Sequence, residues 1–408
     1  MSAPTWAIVR ISPAKRRDEN MQYTSFERVK TALEHKEPDR IPFDIGGTMV
    51  TGINVNALRD LRGHLGLPDD VQVRDKVTQM ADTGDEIIDR LKIDVKNVSP
   101  EPPARPGPAR DLGLQGDHYV LYDEFGMGWR MPAEGGHYYD LFYSPLKDAQ
   151  TVKDVEAYPW PDPLDAARYV NLKARADHIV YNEKKAYVLG RMNSGMWETA
   201  MWMTGYEKFY ADMMLNKKLI HAIMNRMLEI KMQYWQKALE TVGENVLVVS
   251  TADDLGGQRG LLVSLKLYKE MIWPYHKRLF EFIKKKAKSK VYIFFHNDGA
   301  IWESLGLLIE AGVDIMNPWQ VNCAGMGDTG RFKTEYGRDL TIWGGSCDTQ
   351  FVLPFGTPGQ VTDETKRRIE DLAPGGGFIF APIHVIQNGV PPENIMAWWE
   401  TLQQYGVY

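Results

Sequence analysis

Apolar runs about as long as a buried strand alternate along the chain with stretches whose apolar residues recur at helical spacing. The runs lie at 41–47, 91–100, 186–193, 245–254, 290–299, 313–320, 340–348 and 377–386. Pro274 predicts a kink or break in the helical stretch 264–287. Strands that alternate with helices form parallel sheets, so eight such units predict an α/β fold, a (β/α)8 TIM-type barrel. An open doubly wound sheet is the alternative.

Two parts of the chain depart from this pattern. Residues 1–20 precede the first amphipathic helix, which opens with Thr24 and Glu27 at capping-box spacing, and we expect an N-terminal helical extension here. Residues 101–150 are rich in Pro, Gly, Tyr and Asp, which favours a β-hairpin insertion over a separate domain. We therefore expect residues 1–20 to form an extension and residues 21–408 a single barrel domain.

Composition narrows the classes of function. The formal net charge of −6 argues against nucleic acid as a partner, because nucleic-acid binding needs a basic surface. Two cysteines in 408 residues form no disulfide framework, so we expect a reducing, cytoplasmic location. We expect no membrane span, since no apolar run reaches 18 residues. A homodimer is compatible with the sequence, which does not fix the oligomeric state.

Polar residues stand where several predicted strands end, and the active sites of barrels lie at that edge. His296 and Asp298 are two residues apart and can share a face of one strand, and His384 ends the last strand. Two imidazoles, one carboxylate and an open position are typical of a catalytic zinc site. A hydrogen-bonded histidine–aspartate pair without metal is the alternative.

Other strand ends offer further candidates. Cys347 is a candidate fourth metal ligand, although a lone cysteine is more often a small buried apolar residue. Asp253 and Asp254 are candidate catalytic carboxylates, with helix capping and turn formation as the alternative for either.

Aromatic and polar residues near the strand ends are candidates for binding substrate. Met196 and Trp197 begin the helix that follows the third apolar run, at 186–193. Core packing is the alternative for both residues. Asn193 precedes that helix, and Trp343 lies in the seventh strand. The aromatic residues mildly favour a ring-containing substrate.

Several segments together carry a family resemblance. FFHNDG, AGVDIMNPWQ, WGGSCDTQFVLPFGTP and APGGGFIFAPIHVI, with the opening TSFERVKTALEHKEPDRIPFD, resemble the uroporphyrinogen decarboxylase-like superfamily over roughly residues 21–408. The resemblance implies a (β/α) barrel, in agreement with the strand count.

The resemblance also implies one of two chemistries. True decarboxylases carry an arginine-rich segment after the first strand, whereas this chain has FDIGGTMVTGINVNAL and no arginine there before Arg59. The other branch, the zinc methyltransferases of corrinoid-dependent methyl transfer, has His-x-Cys and a second cysteine. His296 matches that histidine, and Asp298 and His384 stand where the cysteines would be.

The replaced ligands change the expected chemistry. Nitrogen and oxygen ligands leave zinc a harder Lewis acid than thiolates do, which suits an oxygen leaving group. We therefore expect a small methyl donor and a separate corrinoid protein whose reduced cobalt accepts the methyl group. The ligand set favours a methoxylated donor, with aryl methyl ethers, methanol, other methoxylated compounds and methylated amines as the open alternatives. Two rivals stay open: a metal-free decarboxylase or lyase for a smaller acid, using Asp253, Asp298 or His296, and a non-catalytic accessory protein.

Overall fold

The computed structural model describes residues 23–105 and 107–408, so the extension predicted over residues 1–20 lies outside the described residues. The strands are β1 (Val73–Asp75), β2 (Met80–Ala81), β3 (Val95–Val98), β4 (Arg110–Gln115), β5 (His118–Tyr122), β6 (Gly128–Pro132), β7 (Asp140–Tyr143), β8 (Ala186–Leu189), β9 (Val248–Ala252), β10 (Tyr292–His296), β11 (Ile315–Asn317), β12 (Thr341–Trp343) and β13 (Phe378–Ile379).

Helices fill most of the chain between these strands. They are α1 (Ser25–Leu33), α2 (Val55–His64), α3 (Asp85–Arg90), α4 (Val152–Glu156), α5 (Leu172–Asp177), α6 (Met196–Thr204), α7 (Tyr206–Leu215), α8 (Lys217–Val242), α9 (Leu265–Met271), α10 (Trp273–Lys286), α11 (Leu305–Ala311), α12 (Thr329–Tyr336), α13 (Val352–Phe355), α14 (Pro358–Leu372) and α15 (Pro392–Tyr405). Short 3₁₀ turns lie at Ala166–Tyr169 and Trp302–Ser304, and a π-helical turn at His178–Asn182.

A curled parallel sheet forms the wall of the barrel. Within the described residues it has seven strands in the order β13-β12-β11-β10-β9-β8-β3, and each pairs in parallel with its neighbour. Helices on the outside connect them, as expected for consecutive βα units. The predicted TIM-type barrel is confirmed.

The first predicted strand, over residues 41–47, fills the eighth position without a regular ladder. Phe43 bridges Phe380 in parallel, and the Asp44 amide donates to the Phe380 carbonyl. On the other side the Asp94 amide donates to the Phe43 carbonyl at 2.8 Å. Pro42 has no N–H to donate, although its carbonyl accepts the Phe380 amide at 2.9 Å, so the ladder stays short. The segment still joins the two edges of the sheet.

Alternate residues of the strands form two cores. Val248 and Phe294 lie in the cluster inside the barrel, whereas Val249 and Ile293 belong to the cluster between the strands and the outer helices. Helix α1 contributes to the inner cluster and contacts β3, β8 and β13. Its Phe26 amide donates to the carbonyl of Lys184, just before β8, so α1 closes the end of the barrel where the strands begin.

The pattern of strands and helices is interrupted at Pro274 and by the insertion over residues 101–150, both of which the sequence predicts. Of the predicted kink or break at Pro274, the structure has the break, with Ser264 capping α9 and Pro274 in the first turn of α10. The predicted hairpin insertion is present as a larger antiparallel sheet, with β4 to β7 paired in order. Among the described residues, the structure has no helix that is both long and apolar enough to span a membrane.

Candidate metal centre

His296, Asp298 and His384 converge at the end of the barrel where the strands finish. One potential ligand atom from each lies within 4.8 Å of the other two. His296 Nε2 is 3.9 Å from Asp298 Oδ1, and His384 Nε2 is 3.9 Å from Asp298 Oδ2. The ring centroids of the two histidines are 5.4 Å apart. A cation between the three side chains would therefore meet two nitrogens and one carboxylate.

A neighbouring amide fixes the orientation of His296. His296 is the last residue of β10, and its Nδ1 is 2.7 Å from Asn317 Oδ1 at the end of β11. Asn317 Nδ2 donates to the Trp343 carbonyl at 2.7 Å, so its oxygen must face the histidine. Nδ1 of His296 thus carries the proton, and Nε2 presents its lone pair to the candidate centre. Such support is typical of histidines that bind metals.

His384 reaches the centre from an unusual backbone conformation. It lies in the loop after β13 with φ of 65°, in the left-handed region that residues other than glycine rarely adopt. Its side chain is 33% exposed, compared with 6% for His296. Strained conformations of this kind concentrate at functional sites.

Both imidazoles are held in the neutral form that binds metals. Burial is the main cause that lowers the pKa of His296 well below its ordinary value, and the charges of His384 and Arg191 act in the same direction. Burial, followed by the charge of Arg191, lowers the pKa of His384 to about 4. At neutral pH, protons therefore do not compete with a metal for the nitrogens of these rings.

Two carboxylates near the histidines favour a cation or a shared proton. Asp254 Oδ1 accepts the Asp298 amide at 2.8 Å and lies 4.0 Å from His296 Nε2. Burial and the charge of Asp298 raise the pKa of Asp254, and burial raises the pKa of Asp298. Asp298 Oδ1 is buried and accepts no hydrogen bond from any described residue. A divalent ion would satisfy this oxygen and stabilise the charge of Asp298, so the donor set fits zinc.

Asp253 has a different environment from Asp254. Its oxygens accept the amides of Met196 at 3.1 Å and Glu198 at 2.9 Å, in the first turn of α6. His276 Nε2 lies 2.6 Å from Asp253 Oδ2, and Asp253 is fully buried. The carboxylate therefore caps a helix from a neighbouring strand end.

The remaining predicted residues lie around this centre rather than in it. Cys347 is buried beside Thr365 of α14 and is not part of the converging group. Met196 and Trp197 are buried, and Trp197 packs edge-on against Phe209. Two others also occupy defined positions: Trp343 inside the barrel, donating to Asp44 Oδ2, and Asn193 after β8, with its Nδ2 buried and without a partner among the described residues.

Sequence reasoning missed Asn317, Glu198 and Arg191. Asn317 and Arg191 both lie near the carboxyl ends of predicted strands, which is the signal that identified His296. Glu198 lies in α6 and accepts the Ser194 hydroxyl at 2.6 Å. Burial and the charges of Asp254 and Asp253 raise its pKa well above the ordinary value.

Comparison with known proteins gives related findings from sequence and from structure. The family model described as Uroporphyrinogen decarboxylase (URO-D) matches residues 113–405. The chain is 22% identical over 300 residues to uroporphyrinogen decarboxylase of Mannheimia succiniciproducens, covering 72% of this chain and 78% of the relative. It is 23% identical over 313 residues to that of Alkalilimnicola ehrlichii, covering 74% and 78%.

A solved structure extends the likeness to almost the whole chain. A methyltransferase from Methanosarcina mazei superposes with a TM-score of 0.64 at 14% identity, covering 94% of this chain and 99% of that one. At this identity the likeness shows the fold.

Proposed function

Since the chain belongs to the uroporphyrinogen decarboxylase family, we propose that it is the zinc-dependent methyltransferase of a corrinoid-dependent demethylation system. It would transfer the methyl group of a methoxylated small molecule to the cobalt of a separate corrinoid protein. The convergence of His296, Asp298 and His384 is the observation that carries this proposal. The fold shared with a methyltransferase from Methanosarcina mazei supports it.

His296, Asp298 and His384 would hold the zinc, leaving one position open toward the barrel mouth. When bound there, zinc supplies Lewis-acid polarisation of the oxygen that leaves. The protein keeps both imidazoles neutral through burial, and Asn317 fixes the tautomer of His296. These residues therefore pre-organise the donor set before substrate arrives.

Asp254 is placed to donate a proton to the leaving group. The bond between methyl carbon and ether oxygen would break in this reaction, and a reduced cobalt, when bound, would supply the electron pair of the new bond to carbon. The oxygen leaves with the old bonding pair and needs a proton. Asp254 Oδ1 lies 4.0 Å from His296 Nε2, beside the residues that would hold the zinc. We assign it the role of general acid.

A metal-free decarboxylase is the second candidate, because the relatives matched by sequence carry that name. The half-buried pair Asp254 and Asp298 could hold the required proton. The segment 43–58 lacks arginine, however, so this candidate requires a smaller acid than a tetrapyrrole. Zinc content separates the two proposals.

The test is metal analysis combined with methyl transfer to free cob(I)alamin. We expect about one zinc per chain in purified protein. His296→Ala and His384→Ala should lose both zinc and transfer, whereas His178→Ala, an exposed histidine outside the centre, should lose neither. Full transfer by zinc-free protein would overturn the proposal.

A further inference from the structure

Arg191 turns into the barrel from the end of β8. Its Nη1 donates to Ser250 Oγ at 2.9 Å. Ser250 occupies the same face of β9 as Val248, which points inside the barrel, and pairs in register with Phe294. Phe294 is two residues before His296 on β10. The guanidinium therefore lies inside the barrel close below the candidate metal centre.

One edge of this guanidinium has no partner. Arg191 Nε is buried and donates to no described residue, and the described residues offer no hydrogen bond to its Nη2 either. The Nε–Nη2 edge is the one that binds a carboxylate side-on. Arg28 shows this use in the same molecule, with Nε and Nη2 each 2.7 Å from an oxygen of Asp39.

The surrounding charges do not occupy that edge. Glu198, Asp254 and Asp253 act on Arg191 through their fields, but none forms an ion pair with it among the described residues. Lys231 is buried nearby, and it donates to the carbonyls of Met192 and Ser194. Arg191 is thus a half-buried cation whose buried Nε has no acceptor among the described residues, a costly arrangement unless a ligand satisfies it.

Arg191 and the residue two positions after it both face the candidate metal centre with groups that lack partners. The charge of Arg191 acts on both His296 and His384. Asn193, two residues further along the chain, has a buried Nδ2 that also lacks a partner among the described residues. The loop after β8 therefore presents two unsatisfied donor groups.

We propose that the methyl donor is a carboxylic acid whose carboxylate is bound side-on by Arg191 while its methoxy oxygen faces His296, Asp298 and His384. Asn193 adds a further donor to the anion. This inference rests on the proposed function and narrows its substrate to methoxylated acids. Methylated amines that carry no carboxylate should bind poorly, since Arg191 would repel their positive charge.

Binding to the zinc-loaded protein tests the inference without catalysis. Calorimetry compares each hydroxybenzoate isomer with its neutral hydroxybenzamide. We expect the wild type to prefer at least one acid by roughly 10- to 100-fold, the range expected for charge-assisted hydrogen bonds. Arg191→Gln should abolish this preference, and Arg191→Lys should keep part of it, because lysine keeps the charge but not the planar fork.

Controls separate loss of recognition from loss of structure. Zinc content and melting temperature should stay near wild type in Arg191→Gln. Arg74→Gln is the matched control, because Arg74 also has a buried nitrogen without a partner among the described residues but does not act on the two histidines. It should keep the acid preference.

The outcomes distinguish this inference from the proposed function. Arg191-dependent acid preference supports the anion site, even if no donor methylates cob(I)alamin, a result that would overturn only the methyltransferase. Equal binding of acids and amides, or an acid preference that survives in Arg191→Gln, overturns the anion site. Transfer from methoxybenzamides at the rates of methoxybenzoates would overturn it too while leaving the methyltransferase intact.

Discussion

At the scale of single residues, the candidate centre depends on the hydrogen bond between His296 and Asn317. Asn317 is fully buried, and its two bonds, to His296 and to the Trp343 carbonyl, are both 2.7 Å long. Without Asn317, the Nδ1–H of His296 would lose its acceptor and the ring could adopt the other tautomer. The metal would then meet a protonated nitrogen in part of the population.

Asn317→Ala should weaken zinc binding by roughly 10- to 100-fold, the usual effect of removing such a supporting residue. Competition with a chelator measures this, with near-wild-type circular dichroism as the check on folding. Asn322→Ala is the control, because the Asn322 side chain donates to Asp348 Oδ1 at 3.4 Å and to no other described residue, and the change should leave zinc affinity unchanged. Equal zinc affinity in both variants would contradict the role of Asn317.

The residues that sequence reasoning could find are those with a distinctive donor atom at a strand end. His296, Asp298 and His384 satisfy this condition, and the fold brings them within 4.8 Å. Asn317 was missed because an asparagine at a strand end has many structural uses. Arg191 was missed because its importance lies in the hydrogen bonds that it lacks, and only coordinates show those.

At the scale of elements, α6 depends on a cap from a different part of the chain. Its N-cap residue is Gly195, which has no side chain to accept the first amides. Asp253 supplies both oxygens instead. A Cβ on Gly195 would lie 2.0 Å from Asp253 Oδ1, so glycine is required for this close approach.

Asp253→Ala should therefore lower the free energy of unfolding by about 3 kcal/mol, because it leaves buried donors of α6 and His276 without an acceptor. Urea unfolding measures the loss. The folded fraction should keep its zinc, since Asp253 is outside the converging group. Asp328→Ala, which removes the side-chain cap of α12, should cost only about 1 kcal/mol. Lost zinc with unchanged stability would instead make Asp253 part of the metal centre.

Elements with strong local signals were predictable. Ser264 and Pro274 define the helices α9 and α10, and Thr24 caps α1 as a capping box. The strand predicted at 41–47 was harder, because its pairing is limited by Pro42 and depends on both edges of the closed sheet. The size of the antiparallel insertion was also underestimated, since one apolar alternation does not show how many strands will pair.

At the scale of the whole molecule, the two ends of the barrel differ. Helix α1 closes one end, and the candidate centre lies at the other. Segment 348–355 borders the centre, because Thr349 Oγ donates to the carbonyl of Ile383, next to His384. This segment carries Phe351 and Phe355, which are 64% and 81% exposed. Large exposed apolar side chains beside an active site favour contact with a partner.

If a corrinoid protein docks at this end, the double variant Phe351→Ser/Phe355→Ser should slow methyl transfer to that protein about tenfold through weaker association. Transfer to free cob(I)alamin should be unchanged, because neither phenylalanine touches the candidate centre. Tyr181→Ser is the control: Tyr181 is 60% exposed but lies in the turn just before β8, at the opposite end of the barrel. An equal loss with both acceptors would place the two phenylalanines in the chemistry instead, and no loss with either would place the docking surface elsewhere.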